Sequence, residues 1–127
     1  MIFYAFFVVS SFLSTTPADT ASSKEDLVYE NLFLDVAIKK CPFVGKKKVS
    51  KEFLSDLLQI EKDAGVPQKY RGMVLAAACS ESGYNPRAVG DNGKAVGLLQ
   101  LWPWWEKKYG IDRTNSYASA RAWVRQI

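Results

Sequence analysis

Apolar residues along this chain recur at helical rather than strand spacing. Tyr29, Leu32, Phe33 and Val36 fall at i, i+3, i+4 and i+7, which predicts an amphipathic helix that follows a polar linker over residues 15–25 and ends near Lys40. Pro42 cannot extend that helix and disfavours helical geometry at Cys41, so residues 41–49 read as a loop. Ser50 fits the N-cap of a second helix with Phe53, Leu54, Leu57, Leu58 and Ile60 on its apolar face, and Gly65-Val66-Pro67 is a stop signal. A third helix is expected over residues 67–82, with Gly83 at its end. Tyr70, Met73, Val74 and Ala77 mark its expected buried side, and Glu81, one turn past Ala77, should face inward with them. A carboxylate on an apolar face is costly unless it is paired or protonated.

The pattern then changes. Residues 84–96 hold Pro86, Gly90, Asp91, Asn92 and Gly93, a turn-rich composition that argues against regular helix. Residues 97–101 read as a short strand or extended piece, and residues 102–109 as a short helix closed by Gly110. From Ser116 onward Tyr117, Ala120, Val124 and Ile127 return to helical spacing. No stretch alternates long enough to support a sheet, so the expected fold is mainly α, with a small irregular or β-hairpin region beside the third helix.

Composition places a boundary at the N-terminal side. Residues 2–13 are almost wholly apolar, and Thr16-Pro17-Ala18 or Asp19-Thr20-Ala21 supplies small residues for a cleavage site, so residues 1–21 read as a secretory signal and 22–127 as the domain. The run is shorter than the roughly 20 apolar residues of a membrane span. A membrane anchor is the alternative, and the lack of Lys or Arg before the run departs from the usual signal pattern. Loss of residues 1–21 would remove one acid, Asp19, and no base, raising a formal charge of +4 by one. An exported basic protein meets wall polymers and lipid headgroups before nucleic acid, so no nucleic-acid partner is expected. Lys46-Lys47-Lys48, with Lys51 beyond, reads as a solvated loop or as a polymer-docking cluster.

Cys41 and Cys79 are the only cysteines, and an oxidising compartment would let them join; a buried free thiol at Cys79 is the other reading. The chain has no His, which excludes Ser-His-Asp and Cys-His catalysis and leaves a poor ligand set for zinc. No metal or cofactor is expected. Glu81-Ser82, the loop with Gly90-Asp91-Asn92-Gly93 and Gly97-Leu98-Leu99-Gln100 together mark an expected carbohydrate-cleaving site with one acid: a glycosidic bond needs a proton on its leaving oxygen, and Glu81 is the best-placed donor.

The segment Glu81-Ser82-Gly83-Tyr84-Asn85-Pro86-Arg87-Ala88-Val89, followed by Gly93, Ala95 and Gly97-Leu98-Leu99-Gln100-Leu101, resembles the lysozyme-like lytic transglycosylases of the SLT type. That family typically carries E-S-x-aromatic-x-P-x-A, a Gly-containing loop, then G-L-M-Q and an aliphatic residue; Leu99 stands here where Met is usual. The resemblance implies a helical lysozyme-like domain that cleaves the β-1,4 bond between N-acetylmuramic acid and N-acetylglucosamine in peptidoglycan and leaves a 1,6-anhydro sugar. It implies Glu81 as the catalytic acid, with Ser82, Tyr84, Leu99, Gln100 and Trp102 as substrate-side positions. Plain structural roles stand beside these. Gln100 could fix a sugar amide or hold the acid's loop, Ser82 could satisfy backbone, and packing is preferred for Tyr84 and for Trp102, Trp104 and Trp105 taken together.

Two further departures accompany the match. Glu81 to Gln100 is one residue longer than the commonest family spacing. The family's later A-Y-N-A-G-like motif has no counterpart before Ile127, so the domain is expected to be incomplete at its C-terminal side. Two other functions compete: a hydrolytic muramidase in which Asp91 activates water opposite Glu81, and a non-catalytic peptidoglycan-binding protein on the same fold. Every reading puts the chain in the periplasm or outside the cell.

Overall fold

A computed structural model describes residues 24–44 and 49–127. The expected signal segment and the cluster Lys46-Lys47-Lys48 lie outside the described residues. The chain divides into two units, residues 1–33 and 34–127. Five α-helices are described: α1 (Lys24–Lys40), α2 (Lys51–Asp63), α3 (Met73–Ser82), α4 (Pro103–Tyr109) and α5 (Ser116–Val124). Between α3 and α4 lies an antiparallel pair, β1 (Val89–Gly90) and β2 (Ala95–Val96), with Val89 opposite Val96 and Gly90 opposite Ala95. The expected mainly helical fold with a small hairpin is what the chain adopts.

Helix α1 crosses the unit boundary. Of the face expected to be buried, Phe33 is half-buried while Tyr29, Leu32 and Val36 are exposed; Leu34 and Cys41 are buried. Apolar residues occupy nearly every side of this helix, so spacing alone admits a second stripe through Leu34, Ile38 and Cys41, and that is the stripe used.

Helix α2 starts where Ser50 Oγ accepts the Phe53 N–H at 3.3 Å. Its buried face is Leu54, Leu57, Leu58 and Glu61. Contacts of α2 with α3 and α5, and of α3 with α5, form the core, into which Val74, Leu75, Ala78, Ala120 and Val124 project. Leu98, Leu99 and Leu101 are buried as well. Near the start of α2, Lys51 pairs with Asp35 at 2.7 Å; both side chains are about half exposed, so this pair contributes little stability.

The third helix is shorter than its sequence pattern predicts. Residues 68–70 form a separate 3-10 turn, and the chain breaks at Gly72, whose φ is +96°. Glu61 decides the break. This carboxylate is fully buried, and it accepts the N–H groups of Gly72 at 2.7 Å and Val74 at 3.1 Å, so it caps α3 from the neighbouring helix. Sequence reading passed over Glu61, although it lies three and four residues beyond Leu58 and Leu57 on the same apolar seam.

At the other end, Gly83 takes φ +60° and closes α3. A Cβ there would stand 1.9 Å from the Phe43 carbonyl oxygen, so the 41–44 segment lies directly on the helix end. The Cys41–Cys79 disulfide holds it there, with Cα atoms 5.8 Å apart.

Candidate functional site

Glu81 lies in the last turn of α3 and is exposed. The inward orientation expected for it is overturned, and of the face that carried the expectation only Val74 is fully buried. Tyr70 and Met73 are exposed and Ala77 is half-buried, while Val74, Leu75 and Ala78 turn to the core. A helix this rich in alanine gives no strong stripe, and packing against α2 and α5 chooses the side. Among the described residues the Glu81 carboxylate makes no hydrogen bond or ion pair. It is a free carboxyl on the open side of α3.

The next residue is engaged on all sides. Ser82 Oγ lies 2.6 Å from the Leu98 carbonyl oxygen and 3.1 Å from that of Ala78, and accepts the Asn85 N–H at 3.1 Å. A hydroxyl has one proton to give, and the shorter contact with Leu98 is its main acceptor. Ser82 therefore ties the end of α3 to the 97–101 segment, and its hydrogen-bonding capacity is spent on backbone.

That segment is a tight reversal rather than an extended strand. The Gln100 N–H donates to Gly97 O at 3.1 Å, and Val96 and Leu101 exchange N–H···O bonds of 3.1 and 3.2 Å. Gly97 takes φ +88°, and a Cβ on it would fall 2.3 Å from the Arg113 carbonyl oxygen. The Gln100 side chain folds back onto the hairpin: Nε2 donates to Ala88 O at 2.9 Å and Gly97 O at 3.0 Å. Both amide hydrogens are thereby used, which assigns Gln100 to holding the loop, while Oε1 accepts nothing among the described residues. Its backbone is in the left-handed region at φ +51°, as are Tyr84 (+62°), Asp91 (+49°) and Asn92 (+58°). Such conformations cost non-glycine residues roughly 1 kcal/mol or more each and tend to gather at functional sites. These four all fall between the end of α3 and the start of α4.

Two of the positions drawn from the family resemblance lie in the core. Leu99 is buried, and Tyr84 is buried with its hydroxyl donating to Ala37 O at 3.2 Å; desolvation raises the phenol above its ordinary range. Neither side chain is open to a ligand, since a short reversal next to α3 must fill the space beneath itself with apolar groups. The tryptophans depart in the other direction. Trp102 is 42% exposed and Trp104 49% exposed, and Trp105 is half-buried, so the preference for core packing is corrected. The cause is α4, which spans only two turns and packs through few of its side chains.

Arg113 was not singled out by sequence, yet it binds the region together. Its Nη1 donates to Lys94 O at 2.6 Å and Leu101 O at 2.9 Å, and its Nε donates to Glu106 Oε1 at 2.8 Å. The Arg113 carbonyl accepts from Ser119 Oγ at 3.1 Å, linking the hairpin and α4 to α5. The Glu106 carboxyl is held below the usual carboxylate range, chiefly by that Arg113 hydrogen bond. No spacing rule points to a lone Arg in a loop; only the fold brings its three partners within reach.

No group of three or more Cys, Asp or Glu able to hold a metal occurs among the described residues. The family model described as the transglycosylase SLT domain matches residues 59–122, a span that holds Glu81, Ser82 and Gln100. Comparison with curated proteins and with solved structures gives no significant match.

Proposed function

Since the chain belongs to the transglycosylase SLT domain family, whose enzymes act on peptidoglycan outside the cytoplasm, we propose that it cleaves the β-1,4 bond between N-acetylmuramic acid and N-acetylglucosamine. The product is a 1,6-anhydromuropeptide. Support comes first from Glu81: an unpartnered carboxyl at the edge of a strained, tightly tied loop, inside the matched span. As an acid, Glu81 gives its proton to the glycosidic oxygen, and the bond from that oxygen to C1 breaks. As a carboxylate it then takes the proton of the muramic C6 hydroxyl while that oxygen closes on C1. The proton is returned, no water is consumed, and one carboxyl suffices.

Glu81 is open to solvent, so the water-poor surroundings that acid catalysis favours must be supplied by the glycan lying over it. Ser82 and Gln100 are positioning residues in this reading, because their side chains fasten the 97–101 reversal to α3 and to Ala88. Leu99 and Tyr84 support the site from beneath. Trp102 is the aromatic left open to a sugar ring. Residues 1–21 act as the export signal, and among the described residues no helix is long and apolar enough to cross a membrane.

The deciding experiment is mass spectrometry of muropeptides released from purified peptidoglycan by the wild type and by Glu81→Gln. Anhydro ends from the wild type, with loss of at least about a hundredfold in rate for Glu81→Gln, are expected. Reducing ends would favour hydrolysis with Asp91 as base. Absence of any release by a wall-bound wild type would favour a binding protein.

A further inference from the structure

Cations on and beside α4 are seated on aromatic rings and have no acid partner among the described residues. Trp104 stacks on Trp105 with centroids 4.8 Å apart, and Trp105 stacks on Tyr109 at 5.4 Å. Lys108 Nζ lies 5.4 Å from the Trp104 centroid and 5.3 Å from that of Tyr109, and the Arg125 guanidinium lies 5.5 Å from Tyr109. Lys94 Nζ lies 5.4 Å from the Trp102 ring centre. Each of these rings thus carries a cation or a neighbouring ring, an arrangement that fixes charge in place.

Two acids of this region are engaged elsewhere, while Asp91, three positions before Lys94, is exposed. Glu106 is bound to Arg113, and Asp112 accepts from the Thr114 N–H and hydroxyl at 2.9 and 2.7 Å. Among the described residues Lys94, Lys108 and Arg125 make no ion pair. Ring-seated cations keep their charge for an incoming anion, and the planar Arg is suited to a carboxylate. Arg113 bonds Lys94 O, Leu101 O and Glu106, which joins the hairpin end that carries Lys94, the end of the 97–101 reversal and α4 to one another.

We infer that Lys94, Lys108 and Arg125, held by the rings of Trp102, Trp104 and Tyr109, form a docking surface for an acidic peptide: the carboxylate-bearing stem of the glycan strand engaged at Glu81. The inference rests on the peptidoglycan reading above for its ligand. Complementary charge and continuity with the 97–101 reversal select the stem over a lipid surface.

The test measures co-sedimentation with insoluble peptidoglycan freed of attached polymers, in a Glu81→Gln background so that the wall stays intact. Lys108→Glu with Arg125→Glu should weaken retention at least about tenfold, since two attractions become repulsions. Wall whose carboxylates have been converted to methylamides should retain the Glu81→Gln protein no better than intact wall retains the charge-reversed one. Equal retention of both proteins on intact wall, or undiminished retention on the amidated wall, overturns the inference. So does loss of retention by the charge-reversed protein on anionic vesicles alone, which assigns the patch to lipid. Circular dichroism and melting of the charge-reversed protein exclude misfolding as the cause. Failure of the cleavage reading is seen separately, as absent muropeptide release by the chain with Glu81 intact, and leaves the retention data to stand or fall by themselves.

Discussion

Ser82 Oγ and the Leu98 carbonyl oxygen lie 2.6 Å apart, joining the last turn of α3 to the reversal that carries Gln100. The contact links the residue after Glu81 to a backbone group sixteen positions later. Ser82→Ala leaves Leu98 O without this donor and should cost about 1–2 kcal/mol, read as a shift of the urea midpoint at constant slope. If Ser82 positions the site, muropeptide release should fall further than Ser82→Ala lowers the folded fraction. Unchanged release per folded molecule would make the bond purely structural.

Glu61 is fully buried and accepts two backbone N–H groups at the start of α3. Glu61→Ala removes both acceptors and opens a void, so a loss of about 3–5 kcal/mol is expected, enough to unfold a marginal domain. Glu61→Gln retains one acceptor oxygen and should lie between. Chemical denaturation of the three proteins checks the order.

The Gly97 position allows no side chain, because a Cβ would meet a backbone oxygen at 2.3 Å with φ at +88°. Gly97→Ala should cost about 2–4 kcal/mol. Gly90→Ala meets only the tip of Gln100, Oε1 at 2.7 Å, at an unstrained φ. It should cost less, with Gln100 turning aside; reversal of that order in thermal melts would refute the geometry.

The pH response of Glu106 has a definite sign. Its folded value is depressed, chiefly by the Arg113 hydrogen bond, so its stabilisation is present above the unfolded carboxylate value of roughly 4.3 and is lost as pH falls through the lower folded value. Asp112, depressed by Thr114, acts in the same direction. Melting temperatures of Glu106→Gln and wild type should converge as the medium is acidified from pH ~6 toward ~3. A constant gap across that range would remove Glu106 as the titrating group.

The Cys41–Cys79 bond closes a loop with a sequence separation of 38, for which chain entropy gives about 4 kcal/mol. Cys41→Ser with Cys79→Ser, or reduction, should lower the melting temperature accordingly and free the 41–44 segment from α3 first. Protection of the Tyr84 surroundings against hydrogen exchange, compared in the two states, would reveal that order.

Most helix boundaries were legible in the sequence, because those signals are local: Ser50, Gly65, Gly83 and Gly110 act through their own backbone and nearest turns, whereas the start of α3 is set by Glu61 from a neighbouring helix. The sequence also determined the family, through a run of residue types at fixed spacing around Glu81 and Gln100. It left the side each helix buries undetermined. In α1 and α3 apolar residues cover several faces, and only packing against other elements selects Leu34 over Val36 and Val74 over Met73. Glu81 therefore faces outward where spacing suggested inward, and Trp102 and Trp104 lie on the surface where composition suggested core. The roles of Glu61 and Arg113 arise only in three dimensions, since a buried carboxylate or a shared guanidinium is defined by partners that the chain brings from 7 to 19 positions away.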